Sequence, residues 1–317
     1  MPPRRVIGID AGGTKLLGGV VDEQLVVRHR VHRNWRGAVR AEVLDIFVGA
    51  VEEVRAAAPE VEAVGFGIPS LVGDRGVSVW SNHLPIGDVR FRDVMSERLG
   101  LPVFVDNDTN AAILAEHRHG AARGADNAVM LALGTGIGGG LILGGRLHRG
   151  RRGFAGELGH MTIDLHGEDC PGDCPGKGCF ETVVSGRAIG VAARRLAAAQ
   201  PDSTFGKLAA EGREIRGSLV TELAHDGDDQ ARSVLTLVGQ RLGIGIAGLV
   251  NALDPGVIVI GGGAVAAGDL LLDPARATLA ERALPPGGEP PPIVPARFGS
   301  ESGMLGAALL ALDGGSP

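Results

Sequence analysis

Twice along this chain a short apolar strand runs into a glycine and threonine turn, and an apolar strand returns from it. The first copy is Val6 to Asp10, then Ala11, Gly12, Gly13, Thr14 and Lys15, then Leu16 to Val21. The second is Ala128 to Leu133, then Gly134, Thr135, Gly136, Ile137, Gly138, Gly139 and Gly140, then Leu141 to Leu143. Glycines in such a turn let backbone N–H groups converge on a phosphate. Thr14 and Lys15 add donors, and Asp10, at a strand end, suits a hydrated Mg²⁺. A strand, not a helix, follows the glycines, which departs from the dinucleotide-binding arrangement. An ordinary hairpin turn can carry either string alone; the recurrence predicts two similarly built α/β domains facing each other across a cleft.

Length agrees with that division, because 317 residues exceed what one core normally supports. Glycine is abundant, at 52 residues, and aromatics reach only 3%, a balance suited to tight turns and close backbone approach to a ligand, not to stacking of bases. A net charge of −6 provides no field that attracts nucleic acid or an anionic membrane. No N-terminal apolar segment and no run of 18 apolar residues is found, so a soluble, cytoplasmic protein is expected.

Between the two hairpins, Arg40 to Ala58 has apolar residues at helical spacing, Val61 to Ile68 reads as a buried strand, and Phe91 to Leu99 as a helix. The polar stretch Ser81 to Pro85 offers Asn82, either as a hydroxyl ligand or as a turn residue. The strand Val103 to Val105 then ends on Asp106, Asn107, Asp108, Thr109 and Asn110, and Ala111 to His117 is helical. Strand ends meeting helix starts are where α/β folds place ligands. Asp108 is the candidate general base for a substrate hydroxyl, and Asn107 would bind a neighbouring hydroxyl. Helix capping must occupy at least one of the five, with Asp106 or Asn110 expected.

All three cysteines lie between Gly156 and Glu181. With His160, Cys170, Cys174 and Cys179 supply the four N/S ligands of a tetrahedral Zn²⁺. The residues between them, Pro171, Gly172, Asp173, Pro175, Gly176, Lys177 and Gly178, are turn formers that fold tightly about an ion. Three buried thiols, or one disulfide and a free thiol, would use the same residues. An odd cysteine count without a secretory signal weighs against the disulfide. Glu157 and Glu181 bracket the segment. A fixed ion would fix both carboxylates, and a histidine bound through one ring nitrogen can donate from the other. Together these groups could hold the vicinal hydroxyls of a sugar; the bland alternative is two solvated loop charges.

Further on, Gly186 to Ala199 and Asp229 to Ala252 read as helices, the second half of the latter buried. Val257 to Ile260 is a strand followed by a third glycine turn, Gly261 to Ala264, whose Gly262 and Gly263 suit backbone lying against an adenine or its α-phosphate. Ile293 to Pro295 is a short strand, and Ser302 to Leu312 a helix of small residues.

Taken together, Asp10-Ala11-Gly12-Gly13-Thr14-Lys15, Asp106-Asn107-Asp108-Thr109-Asn110, Leu133-Gly134-Thr135-Gly136-Ile137-Gly138-Gly139-Gly140, Gly156-Glu157-Leu158-Gly159-His160, Gly178-Cys179-Phe180-Glu181 and Ile260-Gly261-Gly262-Gly263 resemble the ROK family of sugar kinases. That family belongs to the superfamily of actin, hexokinase and the Hsp70 ATPase domain, and the resemblance covers nearly the whole chain. It implies two ribonuclease H-like (actin-like ATPase) domains. The first would span 1–117, with 300–313 packing back on it, and the second 118–299. It further implies Asp108 as catalytic base, Asn82, Asn107, Glu157, His160 and Glu181 as sugar ligands, and zinc on His160, Cys170, Cys174 and Cys179. Mg·ATP would be the phosphoryl donor, and the acceptor a hexose, glucose first, with other hexoses or N-acetylhexosamines as alternatives. A homodimer or higher homo-oligomer is expected, with no nucleic-acid or membrane partner. The family also contains sugar-responsive transcriptional regulators with an N-terminal helix-turn-helix, and this chain shows no basic recognition helix. An actin-like or chaperone ATPase would leave the cysteine loop unexplained. Two departures stand out. Three residues separate Cys170 from Cys174 where the family commonly has one, and Phe180 stands where leucine or tryptophan is frequent.

Overall fold

The computed structural model describes residues 3–12, 15–34, 39–81, 84–284 and 289–314. The chain forms two compact units, one from Met1–Gly124, Gly140–Gly156 and Ala296–Pro317, the other from Ala125–Gly139 and Glu157–Pro295.

In the first unit, β1 (Arg5–Ala11) pairs antiparallel with β2 (Lys15–Asp22), and β2 with β3 (Val27–Asn34). On its other side β1 pairs parallel with β4 (Val64–Ile68), and β4 with β7 (Val103–Asn107), giving the order β3-β2-β1-β4-β7. A small hairpin of β5 (Leu71–Val72) and β6 (Ser78–Trp80) interrupts the run. One face is covered by α1 (Arg40–Ala57) and α2 (Phe91–Leu99). Helical spacing aims Val43, Phe47, Val51 and Val54 of α1 inward, where the Phe47, Phe66 and Phe91 rings meet with centroids 5.3 to 6.1 Å apart.

The opposite face carries α3 (Asp108–His119) and α10 (Ser302–Leu312). The small residues of α10 allow backbone-to-backbone approach. A Cβ on Gly8 of β1 or Gly65 of β4 would overlap the Met304 or Ala307 carbonyl, and one on Gly306 would overlap that of Ala111.

The second sheet contains β8 (Ala128–Leu133), β9 (Ile137–Leu143), β10 (Arg146–Leu147), β11 (Val257–Gly261) and β12 (Ile293–Pro295), in the order β10-β9-β8-β11-β12. Each sheet thus runs third, second, first, fourth, fifth among its own strands. Around the second sheet lie α4 (Phe180–Val183), α5 (Gly186–Ala199), α6 (Thr204–Ala210), α7 (Gly217–His225), α8 (Asp229–Leu253) and α9 (Asp269–Arg282). By length and composition α8 could cross a membrane, yet its Val234, Val238, Leu242, Ile246 and Leu249 are buried within this unit. Gly243 of α8 brings that helix so close to α9 that a Cβ would stand 2.5 Å from the Ala275 carbonyl and 2.6 Å from Thr278.

Two expectations are corrected. Ile137 to Gly140 is not loop but the first half of β9, and Gly140 is required there because a Cβ would press on Ile113 and the Thr109 carbonyl, at 2.8 and 2.9 Å. Residues 140–156, assigned from sequence to the second domain, cluster with the first unit. That packing at Gly140, and an ion pair from Arg149 to Asp106, account for the shift.

Candidate active site and metal centre

The end of β7 and the start of α3 are built around the cap of that helix. Asn107 is the N-cap, its side-chain oxygen accepting the Thr109 and Asn110 N–H groups at 2.9 and 3.2 Å. Capping therefore falls to Asn107 and not to Asp106 or Asn110. Asp106 is unsuited because its carboxylate, 3% exposed, is already engaged. It accepts from the Asn107 N–H at 2.8 Å, Asn110 Nδ2 at 3.0 Å and Arg149 Nε at 2.6 Å. Asn107 Nδ2 donates to the Ser70 carbonyl at 3.4 Å.

Asp108 is the first residue of α3, where the helix dipole favours a carboxylate. Its Oδ1 accepts the Thr109 N–H at 2.7 Å. Gly67 on β4 makes room: a Cβ there would lie 3.3 Å from Asp108 Cα and 3.9 Å from Asp10 Oδ1. Both acids therefore border the same glycine. Burial, then the Asp108 charge, push the Asp10 carboxyl up to about 7, with Lys15 opposing. Gly303 at the start of α10 also lies against Asp10, and a Cβ there would come within 2.5 to 2.8 Å of its carboxyl group. Gly12 N–H donates to the Lys15 carbonyl at 2.8 Å, closing the turn. Gly13, Thr14 and Asn82 lie outside the described residues.

The metal-ligating candidates converge in the second unit. One ligand atom from each of His160, Cys170, Cys174 and Cys179 lies within 4.8 Å of all the others. His160 Nδ1 is 3.5 Å from Cys170 Sγ, while its Nε2 faces Glu157 Oε2 at 3.7 Å. The loop closes through the Cys170 N–H to the Gly176 carbonyl at 2.9 Å. A Cβ on Gly176 would stand 2.8 Å from Cys179 Sγ and 3.3 Å from Cys174 Sγ, so only glycine fits beneath the sulfurs. Cys170 joins this cluster despite its altered spacing, and all three thiols are free. Burial, then the Glu181 carboxylate, push the Cys170 thiol up, and burial raises Cys179 too. Three sulfurs and an imidazole nitrogen in one small volume are the donor set of tetrahedral zinc, and the residues fit that ion. Phe180, fully buried, anchors the segment against α8, where Gly245 leaves space for its ring.

Glu181, 8% exposed, lies between the cysteine cluster and the second glycine turn. Its Oε2 accepts the Ile137 N–H at 3.2 Å, and its Oε1 is 3.1 Å from Cys170 Sγ. The turn is closed by the Gly134 N–H to the Gly136 carbonyl at 3.0 Å and joined to α5 by the Gly186 N–H to the Gly134 carbonyl at 2.8 Å. Gly262, at φ +79, comes so close to Leu133 that a Cβ would meet its backbone at 2.5 to 2.6 Å. The second and third glycine turns, with Gly263 opening the helical turn Gly263–Ala267, are thus neighbours.

Two structural anchors escaped the sequence reading. Arg149 reaches Asp106 from 43 residues away. Glu116 on α3, fully buried, accepts from Ala121 N, Arg297 N, Phe298 N and Ser302 Oγ at 2.8 to 3.0 Å. Arg149 had only a local arginine and glycine cluster to signal it, and Glu116 had none.

A sequence profile of the ROK family matches residues 6–314. The chain belongs to the ROK family. This ROK protein is 34% identical over 315 residues to the glucokinase of Streptomyces coelicolor, with 97% of both chains covered. Among solved structures it is similar to a ROK family glucokinase from Streptomyces griseus in complex with glucose and AMPPNP. There the identity is 35% and the TM-score 0.87, covering 98% of this chain and 99% of that one. It is also similar to a ROK family transcriptional regulator, a homologue of the E. coli MLC protein, with 28% identity and a TM-score of 0.85. That match covers 99% of this chain and 80% of the regulator. The actin-like ATPase fold expected from sequence is therefore the fold of this ROK chain.

Proposed function

We propose that the chain is an ATP-dependent hexose kinase that transfers the γ-phosphoryl group to a sugar hydroxyl, with glucose as the acceptor and glucose 6-phosphate as the product. The observation that carries the reading is the carboxylate pair at the strand ends of the first unit, Asp10 and Asp108 about Gly67, with Asp108 on a helix N-terminus. Likeness to the two glucokinases supports glucose over another hexose or an N-acetylhexosamine.

In this mechanism Asp108 accepts the proton of the attacking hydroxyl as its oxygen bonds to the γ-phosphorus and the bond to the β-phosphate oxygen breaks, releasing ADP. Asn82, Asn107, Glu157, His160 and Glu181 hold the other hydroxyls. Gly12, Gly13, Thr14, Lys15, Gly134, Thr135 and Gly136 receive phosphates, with Gly262 and Gly263 beside the nucleoside. Mg²⁺ entering with ATP would neutralise phosphate charge, and Asp10 is the residue to hold it through water. Zn²⁺ on His160, Cys170, Cys174 and Cys179 would supply a redox-inert strut for the sugar ligands. The reading includes a cytoplasmic location and a homo-oligomer.

A coupled assay with Mg·ATP and a panel of hexoses and amino sugars tests it. Glucose should give the highest kcat/KM. Asp108→Asn should lower kcat about 10²- to 10⁴-fold while glucose binding changes little. ATP turnover indifferent to every sugar would sink the kinase, and sugar binding without turnover would favour the regulator reading.

A further inference from the structure

The reaction above treats Glu181 as one of several hydroxyl ligands, but the structure gives its carboxylate a second task. Oε2 accepts the Ile137 N–H at 3.2 Å, and Ile137 is the residue that follows the Gly134–Gly136 turn. The carboxylate also occupies the volume that a side chain on residue 136 would need, since a Cβ on Gly136 would collide with Oε2. Ile137 is confined on its other side as well. A Cβ on Gly159, one residue before His160, would overlap the Ile137 carbonyl. Two neighbouring segments thus clamp Ile137, one at the peptide before it and one at the peptide after it, and Glu181 supplies a side-chain acceptor to the first.

We infer that Glu181 is a positioning residue for the nucleotide turn: by accepting the Ile137 N–H and filling the space over Gly136, it sets the conformation in which Gly134, Thr135 and Gly136 receive a phosphate. This rests on the kinase reading, and it adds that one carboxylate serves both substrates. Oε1 lies on the side of the cysteine cluster, 3.1 Å from Cys170 Sγ, while Oε2 is committed to the turn. A defect at Glu181 should therefore reach ATP as well as the sugar, and binding of one substrate should alter the affinity of the other by the same factor in both directions.

The decisive measurement is the affinity of the metal-loaded protein for Mg·AMPPNP by calorimetry with no sugar present. Glu181→Ala should weaken it about three- to tenfold, the effect of one lost hydrogen bond. Glu181→Gln keeps an oxygen that can accept the Ile137 N–H, so it should restore nucleotide affinity to within about twofold of wild type while glucose KM stays raised. If Glu181→Ala binds AMPPNP as wild type does, or if Glu181→Gln is as weak as Glu181→Ala, the inference is overturned. Should Glu181→Ala fail to fold, Gly136→Ala alone and with Glu181→Gln form a second test. The Cβ on residue 136 should raise glucose KM by displacing the carboxylate, and the two defects should combine to less than their product; independent, multiplicative effects would count against the clamp. Wild-type protein that binds no nucleotide at all would instead refute the kinase reading.

Discussion

Glu116 in the first unit and Glu181 in the second are both buried carboxylates facing backbone N–H groups from distant segments, yet the fold completes one and leaves the other open. Glu116 accepts four donors, as many as the lone-pair sites a carboxylate offers. Glu181 has two partners among the described residues, the Ile137 N–H and the Cys170 thiol. A saturated carboxylate has nothing left for a ligand and acts as a staple between α3 and the segment leading into α10. An unsaturated one beside the cysteine cluster keeps acceptor capacity for a hydroxyl. Burial alone would rank the two residues alike; counting donors separates architecture from binding.

The contrast is exposed to experiment. The largest expected effect is on Glu116→Ala, which strands three backbone N–H groups, while the Ser302 hydroxyl keeps the Gly299 carbonyl, and should lower unfolding free energy by about 3–5 kcal/mol in urea titrations. A loss below about 1 kcal/mol would mean that the staple is replaceable. Metal removal should act on the other side of the comparison. Stripping an ion held at 100 times its Kd costs about 2.7 kcal/mol, and hydrogen exchange should rise across 156–181 while the amides of Arg297 and Phe298 stay protected. Equal loosening of both regions would erase the distinction.

Asp10 offers a smaller, pH-dependent test. Its carboxyl is held at about 7 against an ordinary 3.8, so between those values the folded protein keeps a proton that the unfolded chain releases. Stability from this group is full below the lower value and is lost as pH rises through the upper one. Asp10→Asn should match wild type near pH 4 and exceed it at pH 8 by about 2 kcal/mol, after discounting for solvent at this part-buried site. A denaturation series that runs parallel for the two proteins would contradict it. Glu181→Ala should cost the fold least, about 1 kcal/mol for one backbone donor.

Much of this was legible in the sequence because it is local. Strand, glycine turn and returning strand recur as contiguous strings, Phe47 and Val51 fall at helical spacing, and the four metal-ligand candidates sit within one loop. What escaped is long-range or context-dependent. No local pattern announces that Asp106 will meet Arg149, or that Glu116 will gather Arg297, Phe298 and Ser302. Nor does propensity decide among Asp106, Asn107 and Asn110 for the cap, since all three are favoured there; the choice follows from Asp106 being claimed by Arg149. Gly140 of β9 reads as loop because its reason for being glycine lies on α3. Helix α9 left no signal because Pro274 stands inside it, a residue that ordinarily marks a break.

The close seating of α10 has a consequence for biogenesis. Gly8 and Gly65, on strands made early in translation, are matched to carbonyls of Met304 and Ala307, made some 240 or more residues later. Until that segment leaves the ribosome, that side of the first sheet has only α3 to cover it. The nascent chain therefore travels with an apolar surface that a chaperone can grasp or a neighbouring chain can seize.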